Sequence, residues 1–128
     1  MARPRTECLG IMDVGYRRAA PVTALEEGGG LATEINGWPV LLCRSGGDHH
    51  AVVNRCTHAD SALVGGRVRR GSIICPAHGA IFNLQTGACV GGAGYGPLKV
   101  FPARVVDGWV EVRVPEEAPP PRHRPVAP

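Results

Sequence analysis

Two short pairs of metal-ligand residues, Cys56-Thr57-His58 and Cys75-Pro76-Ala77-His78, are separated by a sixteen-residue insert, and each is followed by small, turn-forming residues. Ligand pairs of this kind constrain the fold more than any other stretch of the chain, because two loops distant in sequence must meet at one centre. A cluster of two irons bridged by two sulfides needs two terminal ligands per iron; thiolates suit such soft centres and imidazole suits iron as well. C-x-H and C-x-x-H loops can each send a cysteine to one iron and a histidine to the other, gripping the core from opposite sides. One iron then carries two thiolates and the other two imidazoles, which raises the reduction potential above that of all-thiolate clusters.

The competing reading is a structural zinc site, since two cysteines and two histidines also satisfy a tetrahedral zinc ion. The spacing weighs against it. In common zinc fingers the histidine pair sits on a helix, whereas Pro76 and Gly79 surround the second pair here and oppose helix. Both pairs therefore read as loop tips.

With their surroundings the pairs become more specific. Cys56-Thr57-His58-Ala59-Asp60, Cys75-Pro76-Ala77-His78-Gly79-Ala80 and Phe82-Asn83-Leu84-Gln85-Thr86-Gly87 together resemble the Rieske family, and more narrowly the Rieske-type ferredoxins of bacterial aromatic-ring-hydroxylating dioxygenase systems. The resemblance runs from about Tyr16 to Val114 and includes Gly96-Pro97-Leu98 and the Asp107-Gly108 turn. It implies an all-β Rieske iron-sulfur fold, in which stacked antiparallel sheets form a base domain and a small cluster-binding β subdomain is inserted into it. It also implies one 2Fe-2S cluster of Rieske type, with Cys56 and Cys75 on the buried iron and His58 and His78 on the outer one.

Departures within the family carry information, because hydrogen bonds and exposure tune a cluster's potential. Relatives of high potential have a loop-to-loop disulfide, at positions occupied here by Ser61 and Ala77. They also have a serine and a tyrosine hydroxyl donating to sulfur, where this chain has Ala80 and Phe82. Loss of these donors disfavours the electron-rich reduced state and places the expected potential at the low end of the Rieske range of roughly −150 to +300 mV. A relay fed by NADH or NADPH fits that position; quinol oxidation does not.

Composition agrees with one compact domain. The chain has 128 residues, few aromatic side chains, eighteen glycines and twelve prolines, a mixture that favours short strands and turns filled by Val, Ile, Leu and Ala. A formal charge of +3, with no dense basic run, gives no footprint for nucleic acid. Cys8, Cys43 and Cys89 remain after the two ligand cysteines, an odd set without disulfide spacing that is expected as free thiols in a reducing cytoplasm. No stretch approaches transmembrane length, and Met1 to Gly15 lacks the apolar core of a secretory signal.

Three regions follow: a loose leader at 1–15, a Rieske domain at 16–114 with its cluster-binding subdomain at about 55–95, and a Pro-rich tail at 115–128 expected to be disordered. Strands are expected from Tyr16, over Leu31 to Ile35, over Trp38 to Cys43 after an Asn36-Gly37 turn, and over Ala51 to Asn54. Further strands flank Arg69-Arg70-Gly71, and one long strand from Lys99 to Val106 should pair with Trp109 to Val114. His49-His50 reads as a solvated turn, not a second metal site, because neighbours on an extended chain face opposite ways. Ser61 has no free base nearby to make it a nucleophile. The Gly91-Gly92-Ala93-Gly94 run lacks the Lys-Ser/Thr of a phosphate loop and reads as a flexible approach to Gly96-Pro97-Leu98.

These readings make the chain a cytoplasmic, monomeric one-electron carrier with no catalytic residues of its own. It would pass electrons from a flavin-dependent, NAD(P)H-oxidising ferredoxin reductase to a terminal Rieske non-haem iron oxygenase in aromatic compound degradation, through a docking face at Ala59, Asp60, Ala80 and Pro97. The runner-up is a small Rieske-type redox subunit of a nitrite reductase. An oxygenase domain with its own mononuclear iron is disfavoured, since only His49, His50 and His123 are left to build that site.

Overall fold

A computed structural model describes residues 15–57, 61–77, 79–92, 96–120 and 123. Eleven strands and a single 3₁₀ turn at Val22–Ala24 make up the regular structure among these residues. They form three antiparallel sheets, as the alternating segments and frequent turns of the sequence lead one to expect.

The central element of the base is β3, Trp38–Ser45, flanked by β2, Gly30–Ile35, and β4, Asp48–Val53. Val40, Leu41, Leu42 and Cys43 on β3 are buried on both faces, the continuous apolar run of a strand covered on each side. Asn36 and Gly37 join β2 to β3 with φ of 53° and 82°, the left-handed pair that a two-residue hairpin turn demands. The β3–β4 connection is held from outside. The exposed Glu27 carboxylate accepts the backbone N–H groups of Gly46 and Gly47 at 2.5 and 3.0 Å, and these donors, Gly46 first, hold its pKa below the usual carboxylate value.

The stretch from Lys99 to Val106 is two strands rather than the single one expected. β9, Val100–Phe101, pairs with β4, whereas β10, Ala103–Val106, pairs with β11, Trp109–Arg113, in a different sheet. Pro102 is the reason for the break: it has no N–H to offer a ladder, and its carbonyl instead accepts the Arg113 N–H at 3.0 Å. β1, Tyr16–Pro21, pairs with the other edge of β11, so the first and last strands close the base together.

The third sheet is inserted between β4 and β9. It consists of β5, Arg67–Arg69; β6, Ser72–Ile74; β7, Ile81–Asn83; and β8, Cys89–Gly91, in sequential order. Strand β8 was not anticipated, because the glycines after Val90 masked its short β pattern. Val68, Ile73 and Phe82 oppose one another across this sheet and are buried, merging with Leu63, Leu84 and Leu98 into the core of the base. Ser45 joins the two parts: its Oγ accepts the Gly71 N–H at 2.8 Å.

Residues 115–120 and 123 lie against the base instead of leaving it, in contrast to the disordered tail expected from composition. The Trp38 indole N–H donates to the Glu117 carbonyl at 3.0 Å, Pro119 is buried, and the His123 ring sits 5.5 Å from that of Trp38. A proline-rich chain loses little backbone freedom on docking along an apolar ridge, which is how a segment with few large apolar side chains comes to pack.

Candidate metal centre

Strand ends deliver both cysteines. β4 runs into Cys56 and β6 into Cys75, and the side chains are buried, with residue exposures of 3% and 1%. The two loops close in the same way. The Cys56 N–H donates to the Ser61 carbonyl at 2.8 Å, and the Cys75 N–H donates to the Ala80 carbonyl at 2.8 Å, each spanning five residues from the cysteine. Gly79, with φ of 77°, turns the second loop back and donates to the Cys75 carbonyl at 3.0 Å, a left-handed position suited to glycine.

Other side chains brace these loops. Asn54, two residues before Cys56, accepts the Leu63 and Val64 N–H groups through Oδ1 at 2.8 and 2.9 Å. Thr57 donates its hydroxyl to the Gly96 carbonyl at 2.9 Å, tying a third loop to the first. The root of that loop is fixed too. The Leu98 N–H donates to the Gly87 carbonyl at 2.7 Å, and a Cβ added to Gly87 would stand 2.0 Å from the Leu98 carbonyl oxygen. The sequence reading placed Asn54 at a strand end and Gly87 within the motif at 82–87 but gave neither a bracing role; the signal for Asn54 was an amide side chain just before a loop, a position that favours side-chain-to-backbone bonding.

The expected ligand set divides into two halves. Cys56 and Cys75 are brought to equivalent places at the ends of two similarly closed loops, and no disulfide joins them. His58 and His78, with Ala59 and Asp60 of the expected docking face, lie outside the described residues, as does Cys8. Among the described residues alone, no group of three or more His, Cys, Asp and Glu gathers as a metal site. The donors that are described fit a 2Fe-2S cluster: buried thiols, in loops each closed by a backbone hydrogen bond from the cysteine N–H, are the soft ligands one iron of such a cluster needs.

Ala80 does not sit on the surface as expected. It is fully buried, and a Cβ at Gly92 would approach its Cα to 3.1 Å, so the segment after β8 covers it. Pro97 is exposed. The two adjacent histidines belong to β4 rather than to a turn. His49 pairs with Arg44 and His50 with Cys43, which sends them to opposite faces. Burial, then the charges of Arg44 and His50, hold the His49 imidazole below its ordinary pKa. Cys43 is the small buried hydrophobe anticipated from its apolar run, and burial pushes its thiol up to about 12. Cys89 is unpaired, its Sγ 3.2 Å from the Gly91 carbonyl.

Comparison with known proteins agrees with this architecture. The Rieske [2Fe-2S] domain matches residues 16–102. Apoptosis-inducing factor 3 of Mus musculus is 34% identical over 97 residues, covering 76% of this chain and 16% of that protein, so the chain spans about a sixth of that relative's length. The 3-phenylpropionate/cinnamic acid dioxygenase ferredoxin subunit of Escherichia coli (strain K12) is 31% identical over 103 residues, 79% of this chain and 95% of that one. A chain of the solved complex of reduced oxygenase and oxidized ferredoxin in carbazole 1,9a-dioxygenase superposes with a TM-score of 0.72 at 26% identity, covering 82% of this chain and 96% of that chain. No helix among the described residues is long and apolar enough to cross a membrane.

Proposed function

Since this chain belongs to the Rieske [2Fe-2S] domain family, whose cofactor is one 2Fe-2S cluster, we propose that it serves as a one-electron carrier between a flavin-dependent, NAD(P)H-oxidising reductase and a terminal Rieske oxygenase. The observation that carries this reading is the pair of buried thiols in two similarly closed loops, one leaving β4 of the base and one joining β6 to β7 of the inserted sheet, beside a third loop tied to the first through Thr57. When bound, the cluster supplies storage of a single electron. The protein's part is to fix its position and limit reorganisation. Cys56 and Cys75 would hold the inner iron, and His58 and His78 the outer one. The backbone bonds that close each loop at its cysteine resist movement when charge changes.

Two features support a carrier over an enzyme. The dioxygenase relative of comparable length is named a ferredoxin subunit, and the histidines not assigned to the cluster do not converge, with His49 and His50 on opposite faces of β4 and His123 against Trp38. We place the protein in the cytoplasm, acting as a monomer, without membrane or nucleic-acid contact. Ala80 and Phe82 assign it a potential at the low end of the Rieske range.

The test is reconstitution. Purified protein is combined with candidate reductase and oxygenase components, and aromatic product is measured with and without it. Product formation that does not depend on the protein refutes the relay. Independently, iron and sulfide should each approach two per chain, and reduction should produce an anisotropic low-g electron resonance signal. Stoichiometric zinc without visible absorption would overturn the cofactor assignment for this chain. His78→Cys should lower the midpoint potential if a cluster assembles; an unchanged midpoint removes His78 from the ligand set.

A further inference from the structure

Acidic residues are sparse on the inserted segment, where Asp60 is the one Asp or Glu in the sequence between β4 and β9. From Ser61 to Val106 the chain has no Asp or Glu, but it has Arg67, Arg69, Arg70, Lys99 and Arg104. Three of the five are engaged or face the base. Arg104 is paired with Glu111 through contacts of 2.7 and 2.8 Å. Lys99 lies over the Trp38 and Phe101 rings at 5.8 and 5.7 Å. Arg70 lines a cavity with Glu27 and Asp48. Arg67 and Arg69 differ. Both are exposed on the side of β5 opposite the buried Val68, and neither makes an ion pair among the described residues.

Strand register puts Arg67 on the row that ends beside the candidate metal centre, with Arg69 two residues further along β5 and opposite Ser72. Arg67 pairs with Ile74, Ile74 with Ile81, and Ile81 with Gly91. These residues share the outer face, because their neighbours Val68, Ile73 and Phe82 point into the core. Continuing β6 by one residue reaches Cys75, and stepping back one from Ile81 reaches Ala80, the two residues whose backbone bond closes the second cysteine loop. Ile74 and Ile81 are only partly covered. Val64, in the turn that leads to Arg67, is 44% exposed. An apolar row headed by Arg67, with Arg69 two residues along the same strand and neither arginine in an ion pair among the described residues, therefore borders the loop that holds Cys75.

We propose that this outer face of the inserted sheet is a docking surface for a redox protein that presents carboxylates around an apolar patch. The proposal rests on the electron-carrier reading and names the chemistry of the partner's face. Arginine suits the task, since its planar fork binds carboxylates in pairs. Two charges over an area this small give a weak, transient complex rather than a permanent one. Their larger effect falls on encounter, where steering raises association rates by about 10–10³-fold and is screened beyond a Debye length of about 8 Å at physiological salt. The pair thus brings an acidic donor or acceptor up beside Cys75.

The probe is flavodoxin hydroquinone, a strongly acidic flavoprotein reductant, mixed with the cluster-loaded protein in a stopped-flow spectrometer. The wild-type rate of cluster bleaching should fall about tenfold between 10 and 200 mM NaCl. R67E/R69E should slow the low-salt reaction about tenfold and flatten the salt dependence. R17E/R18E changes the same charge on β1, which does not pair with the inserted sheet, and should stay within twofold of wild type. A wild-type rate insensitive to salt overturns the proposal, as do equal effects of the two double variants. If R67E/R69E loses its visible spectrum, R67Q/R69Q replaces it and should lie between the two. Gel filtration at low salt excludes self-association; a wild-type dimer that R67E/R69E splits would make this face a self-interface and refute the proposal. The electron-carrier reading fails separately, if neither flavodoxin hydroquinone nor dithionite bleaches the protein.

Discussion

The β2-β3-β4-β9 sheet and the β5-β6-β7-β8 sheet each have four strands, but they are held together differently. In the first, β2, β3 and β4 are six, eight and six residues long and bury a continuous run of apolar side chains from Trp38 to Cys43. In the second, every strand is three residues long, and much of the order lies in loops pinned by a few hydrogen bonds: two accepted by Asn54 Oδ1 and one donated by each of Thr57, Cys56 and Cys75. Strands of that length form a marginal sheet in water without further support. The base should therefore fold on apolar burial alone, while the inserted segment draws a large part of its stability from what its cysteines hold, as ligand binding favours the folded state by mass action.

The largest effect expected from this contrast is that of Cys75→Ala. The variant should purify with iron and sulfide near zero, while its far-ultraviolet circular dichroism keeps most of the wild-type β signal from the base. Retention of two irons per chain would remove Cys75 from the ligand set. Collapse of the whole β signal would show that the two parts are not separable.

A pair of core truncations sharpens the same point. Phe82 and Leu41 are both fully buried, one in each sheet. In cluster-loaded protein Phe82→Ala should cost about 3–5 kcal/mol and Leu41→Ala about 2–5 kcal/mol. In cluster-free protein the Leu41→Ala cost should persist, and that of Phe82→Ala should shrink to less than half, because the cavity then opens in a segment already loosened. Denaturant unfolding of wild type and both variants, each with and without cluster, gives the comparison, and equal losses for Phe82→Ala with and without cluster would break it.

Legibility in the sequence followed the same division. Hairpins of the base were readable where turn chemistry and alternation coincided, at Asn36-Gly37 and at Asp107-Gly108, which the structure gives positive φ throughout. The Cys and His pairs stood out because metal chemistry restricts residue type and spacing. What escaped depended on tertiary neighbours. Pro102 splits one apolar run between two sheets, and nothing local says which partner each half will take. Ala80 looked like a surface residue near the loop tip until Gly92 was seen to cover it. The proline-rich end has the composition of a tail but meets an indole N–H and a buried surface at Trp38, which composition cannot register.

Within the base, Cys43 provides a pH test with a smaller effect. Burial raises its thiol from 9.0 to about 12, so the folded state favours the protonated form. Above pH 9 the unfolded chain loses this proton first, which favours unfolding. The stability Cys43 contributes is therefore complete below about pH 9 and lost progressively as pH rises toward 12. At pH 10.5 the loss should be about 1–2 kcal/mol relative to pH 8, and Cys43→Ala should lack that component. Parallel pH slopes for wild type and variant in urea unfolding would contradict the burial argument.

The finest distinction concerns tuning of the inserted segment rather than its stability. Ala80 lies at the closure of the Cys75 loop, bonded to it through the Ala80 carbonyl, and Phe82 is buried two residues further on; neither side chain has a hydroxyl. A donor placed at either position would stabilise the more negative, reduced state and raise the potential. One such bond, with a difference between the two states of about 1.4 kcal/mol, corresponds to about 60 mV for a one-electron couple. Ala80→Ser and Phe82→Tyr should each move the midpoint upward by that order in redox titration. Gly92 stands against Ala80, so its serine has less freedom to orient, and the tyrosine variant should show the larger rise. A fall in both would mean that the hydroxyls point away from the centre, and that the low potential assigned here has its origin in solvent exposure instead.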